Sequence, residues 1–142
     1  MTPTPSIITD EKIIKYNIKT LDFDIEDELK ARSIPFTSWG RILVTSATNQ
    51  YTYNFSDDAT ASEIEKNLVK NEVIKGPRVI IVWSNAIKPV LSSKIELLKD
   101  YSLEIVTEDW DFWIFGDHWI LEKYHEGELI LINFDSTLKS FL

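Results

Sequence analysis

WDFWIFGDHWILEKYHEGELILINF, residues 110–134, is the stretch on which the architecture turns. Its apolar and aromatic residues fall into three runs, 110–115, 118–125 and 128–134, parted by Gly116-Asp117 and by Glu126-Gly127. Turn residues between β-branched and aromatic runs predict a three-strand antiparallel meander. In the first run Trp110, Phe112 and Ile114 alternate with Asp111, Trp113 and Phe115, so neither face is polar. A strand of that composition is expected to be covered on both sides.

Working upstream, Gly76-Pro77 breaks the chain before RVIIVWS, residues 78–84, a continuous apolar run that reads as a central strand. Between these strands, Pro89 and the capping-box pattern Ser93-Lys94-Ile95-Glu96 predict a helix within residues 87–101. A second capping box, Thr60 to Glu63, predicts a helix from 61 to about 71, with Ile64 and Leu68 one turn apart. Arg41 to Thr45 and Tyr51 to Phe55 flank the polar residues 46–50 and read as a hairpin. Asp22 to Arg32 has acids in its first turn, bases in its last, and Pro35 beyond, a helix in which Ile25 and Leu29 face inward. Thr9 caps a further short helix reaching Ile18, with Ile14 and Ile18 on one side. Helices and strands mix without regular βαβ alternation, so the expected class is α+β: a mostly antiparallel sheet with helices packed on one face, ending in the three-strand meander.

With 142 residues, 44% hydrophobic and 12% aromatic, the chain has the material for one continuous core, and a single domain over residues 1–142 is expected, with 1–8 as a flexible lead-in. No apolar run approaches the roughly 20 residues of a membrane span, and the first residues lack the basic and apolar regions of a secretory signal. A cytoplasmic protein is the expectation. The chain has no cysteine, which removes disulfides, thiolate chemistry and cysteine-based zinc sites.

The formal charge is −8, and its placement is uneven. From Glu104 to Glu128 there are eight acids against one base, Lys123, so this stretch carries nearly all of the net charge. Such a surface repels the phosphates of nucleic acid, whose binding requires Lys and Arg to displace counterions. It favours a basic protein partner instead.

No Gly-rich phosphate loop and no G-x-S-x-G nucleophile turn is present, so no catalytic or cofactor-binding residue is assigned. The polar groups that draw attention as metal ligands are Asp109, Asp111, Asp117, His118, His125 and Glu126. Strand alternation puts His118 and His125, seven residues apart, on opposite faces, so the two imidazoles do not naturally share a metal, and no metal is assigned. The aromatic residues around Trp113 and Trp119 have two readings. They fill a core, or they stay exposed inside an acidic rim, the arrangement of interface hot spots. On the second reading the partner-binding set is Asp109, Asp111, Trp113, Asp117, Trp119, Glu122, Tyr124 and Glu126.

The strand-turn-strand tail, with Tyr124-His125-Glu126-Gly127-Glu128 as its most specific element, resembles the tails of some small bacterial immunity proteins of polymorphic toxin and contact-dependent inhibition systems. The resemblance covers residues 108–132. It implies a non-catalytic function, in which an acidic and aromatic surface docks on a basic toxin domain, often a nuclease, and blocks its substrate groove. Two rival expectations come from the residues alone. One is a metal-dependent enzyme or metal-binding protein using the Asp and His residues of the meander. The other is a structural subunit whose apolar strands complete a homo-oligomer.

Overall fold

In the computed structural model, the structure describes residues 5, 7–22, 24–31, 49–54, 72–85, 87–109, 111–124 and 128–133. Seven strands form one sheet: β1 (Lys19–Leu21), β2 (Asn49–Asn54), β3 (Arg78–Trp83), β4 (Val90–Lys94), β5 (Phe112–Phe115), β6 (Trp119–Tyr124) and β7 (Glu128–Asn133). Their order is β1-β4-β3-β5-β6-β7-β2, and every pairing is antiparallel. Four helices are described: α1 (Asp10–Lys15), α2 (Ile25–Ala31), α3 (Ile95–Asp100) and α4 (Ser102–Thr107). The fold is α+β.

Register explains why the sheet is buried. Ile81 pairs with Ile114, Ile114 with Leu121 and Leu121 with Leu131, a row of four fully buried side chains across β3, β5, β6 and β7. One residue along, the row Ile80, Phe115, Ile120 and Ile132 points to the opposite face and is buried there. Period-two alternation thus places apolar groups on both faces of the same strands, as the runs 78–84 and 110–115 predict. Each such side chain contributes about 1.5–3 kcal/mol by leaving water.

The first face is covered by α3 and α4, through Ile95, Leu97, Leu98, Ile105 and Val106. Trp83 adds a buried bond from its indole N–H to the Ile105 carbonyl at 3.1 Å. One helix lies on the other face. Leu29 of α2 is completely buried with Ile80, Phe115 and Ile120, so the described helices occupy both sides of the sheet. Asp24 caps α2 by accepting from the Asp27 amide at 3.1 Å, as its acidic first turn predicts.

The helix expected within residues 87–101 is α3, which carries Ile95 and Leu98, and three readings are corrected: Pro89 as a first-turn residue, Ser93 as a cap, and the extent of α1. Residues 90–94 are a strand, not part of a helix begun at Pro89, because Leu91 pairs with Ile81 on one side and Thr20 on the other and is buried between them. Ser93 is not a cap: its hydroxyl donates to the Lys94 carbonyl, while the Ile95 amide that opens α3 donates to Pro77 O. α1 ends at Lys15, with Asn17 at φ 50, a left-handed conformation that asparagine tolerates. Ile14 is therefore 83% exposed while Ile18 is buried beyond the helix. Of the residues before α1, Pro5 is buried and Ile7 is part of the core.

β2 pairs with β7 along its whole length, from Asn49 opposite Asn133 to Asn54 opposite Glu128. Its expected hairpin partner, residues 41–45, and the expected helix at 61–71 lie outside the described residues. No helix among the described residues is long and apolar enough to cross a membrane.

Candidate functional site

Alternation along β5 and β6 decides the fate of the aromatic cluster. Trp113 and Glu122 are directly paired across the two strands, both on the face that α2 joins. Trp113 is 8% and Glu122 1% exposed, and the indole N–H donates to Glu122 Oε2 at 2.8 Å. The carboxylate thus lies between apolar neighbours in the row Val82, Trp113, Glu122, Ile130. A hydrogen bond of this kind lowers the cost of burying a carboxyl group. Trp119 points to the other face, is 1% exposed, and donates its indole N–H to the Lys75 carbonyl at 2.9 Å. The two rings expected to anchor a partner are core residues on opposite sides of the sheet.

The remaining expected contacts divide between the two ends of the strands. Asp109 and Asp111 precede β5, whereas Asp117 follows it. At the extended rise of about 3.4 Å per residue, Asp111 and Asp117 are separated by roughly 20 Å. Tyr124 closes β6 opposite Glu128, and Glu126 and His125 lie outside the described residues. Among the described members of the expected set, Asp109 and Asp111 lie at one end of β5, Asp117 at the other, and Trp113, Trp119 and Glu122 in the core.

The Asp109 end is closed by its own hydrogen bonds. Asp109 Oδ2 accepts from the Asn85 amide at 2.8 Å and from Ser84 Oγ at 3.2 Å, while the Ser84 amide donates to Asp111 O at 3.0 Å. Lys88 donates to Glu108 Oε2 at 2.7 Å, in an ion pair whose side chains are both largely buried. Lys123, paired opposite Phe112, reaches the same region. Burial pushes its ammonium below the usual 10.5, and Asp111 and then Asp109 draw it partly back. These acids hold the connection from β3 to β4.

The other end is open. A cleft of about 610 Å³ lies where β3 begins and the β5–β6 turn closes, lined by Glu72, Val73, Lys75, Gly76, Asp117, His118, Trp119 and Asn133. That volume falls in the range of sites that hold a small molecule or a short segment of another chain. Two glycines shape it. Gly76 has φ +120, which favours glycine, and a Cβ there would come within 3.2 Å of Asp117 Oδ2. Gly116 lies flat on the Trp119 ring, where a Cβ would stand 2.0 Å from Cε2. The ring forms the floor of the cleft and ties it to Lys75.

Asp117, His118 and Trp119 are the residues of this cleft that the sequence singles out. Glu72, Lys75, Gly76 and Asn133 are not legible as site residues. The one local signal was the Gly76-Pro77 break, and the pairing of Ile80 with Phe115 is what brings it to the β5–β6 turn. Glu72 and Asp117 have no hydrogen-bond or ion-pair partner among the described residues. No group of three His, Asp or Glu side chains suited to a metal ion occurs among the described residues. No family model matches the chain, and no curated protein matches it.

Proposed function

We propose that the chain is a non-catalytic binding module for a basic protein, acting in the cytoplasm as an immunity protein that covers the substrate groove of a toxin domain such as a nuclease. One observation carries this reading: among the described residues of 104–123 the aromatic side chains are turned into the core, and every acid but the buried Glu122 is left at least partly at the surface. Phe112, Trp113, Phe115 and Trp119 are buried, whereas Glu104 is exposed and Glu108, Asp109, Asp111 and Asp117 are partly exposed. Acids on the opposite flank, Asp22, Asp24, Glu26 and Asp27, are exposed as well.

With Trp113 and Trp119 inside, attraction to the partner comes from charge and hydrogen bonds. Such an interface has a fast, steered encounter and a marked dependence on salt. Apolar burial would contribute less than in an interface built on exposed tryptophans. The test is an affinity capture of the tagged protein from lysate of its native host at low and at high salt, with bound proteins identified by mass spectrometry. The expected result is one basic protein in stoichiometric amount, weakened as salt rises. A column that retains nothing at either salt, or a neutral partner insensitive to salt, would overturn the reading.

A further inference from the structure

We infer that the cleft between Gly76 and the β5–β6 turn receives an arginine side chain carried on a loop of the basic partner; this rests on the reading above and names its point of contact. The cleft has mixed chemistry. Asp117 and Glu72 present carboxylates, Lys75 lines the same space, and Asn133 brings an amide. A peptide segment suits this mixture, because its cationic side chain meets the carboxylates while its backbone carbonyls meet the Lys75 ammonium.

Arginine fits better than lysine, since a planar guanidinium forms two parallel bonds to one carboxylate. The volume of about 610 Å³ exceeds one side chain and leaves room for the residues on either side. Asp117 is held on the tight turn between two strands, next to a Gly76 backbone that has no side chain to shield it. The backbone that carries its carboxylate is thus held before the partner arrives, which limits the ordering needed on binding. Trp119 supplies a reporter, because its indole N–H lies at the cleft floor in a bond to Lys75 O.

The experiment is a titration of the isotope-labelled protein with the peptide acetyl-Gly-Arg-Gly-amide, read on the Trp119 indole N–H and on the Gly76 and Gly116 amides. The control is the same peptide with citrulline, which keeps the shape and removes the charge. Saturable shifts are expected at these three signals with a dissociation constant of millimolar order, at least tenfold weaker or absent for citrulline. Asp117→Asn and Glu72→Gln should each weaken the arginine peptide several-fold, with the spectrum otherwise retained. Equal shifts from both peptides, or arginine shifts confined to the acids of α2, would overturn the assignment. Capture of a basic protein whose affinity neither substitution changes would also overturn it, while leaving the basic-partner reading intact. Saturation by the arginine peptide with no basic protein captured would support the cleft and defeat that reading.

Discussion

The two ends of the central strands are built from similar residues and differ in what those residues do. At one end Asp109 and Glu108 are engaged by Ser84, Asn85 and Lys88, so their charge fixes the β3–β4 connection. At the other, Asp117 and Glu72 face an open cleft and have no partner among the described residues. Acidic composition alone does not distinguish the ends. An acid engaged in internal hydrogen bonds serves stability, and an acid held in place beside open space is available for recognition.

Trp119 gives the largest disturbance of this contrast, because it is both core and floor of the open end. Trp119→Ala is expected to cost about 4 kcal/mol in urea unfolding, the usual penalty for truncating a buried aromatic. A cost below about 1 kcal/mol would mean that the ring is not packed as described. Trp113 lies between the ends and gauges the sheet that joins them. Trp113→Phe keeps most of the ring and removes the donor to Glu122, for an expected loss of about 2 kcal/mol in urea unfolding. A loss below about 0.5 kcal/mol would show that the bond to Glu122 contributes nothing to the sheet.

The comparison itself is isolated by one pair of variants. Asp109→Ala should lose about 1–2 kcal/mol, as expected for breaking charged bonds to Asn85 and Ser84, whereas Asp117→Asn should stay within about 0.5 kcal/mol of the parent. Equal losses in matched urea curves would erase the distinction between the ends.

The smallest effect lies away from both ends, at Tyr16, whose hydroxyl donates to Asp100 Oδ2 at 2.7 Å. The hydrogen bond to Asp100, followed by burial, raises this phenol from the usual 10.0 to about 12. The protonated form is favoured by folding, so this contribution is present in full below pH 10 and is lost as pH rises through about 12. Tyr16→Phe should flatten stability against pH in that window, and ultraviolet titration should show one phenolate fewer among the late-ionising group. An unchanged pH profile would mean that the bond to Asp100 does not hold in solution.

How far these features were legible depended on the range of the interactions involved. The meander and the 78–84 strand were readable because alternation and turn residues are local, and the rows through Ile81 and Ile80 follow from them. Residues 90–94 were not, since Ser93 carries the pattern of a cap while pairing of Leu91 with Ile81 and Thr20 favours a strand. The tryptophans were ambiguous in sequence because a core ring and an interface ring look alike, and burial by α3, α4 and the opposite face decides between them. Half of the cleft was invisible, because Glu72 and Lys75 come beside Asp117 only through the long-range pairing of β3 with β5. Part of the expected binding set, Glu126 with its neighbour His125, lies outside the described residues.

The most direct measurement is amide hydrogen exchange of the protein free and bound to its captured basic partner, comparing residues 72–76 and 116–118 with residues 84–89 and 107–111. Protection concentrated in the first pair of segments, with the second unchanged, is the expected result. Protection at 84–89 and 107–111, or on α2 alone, would contradict a partner seated at the open end.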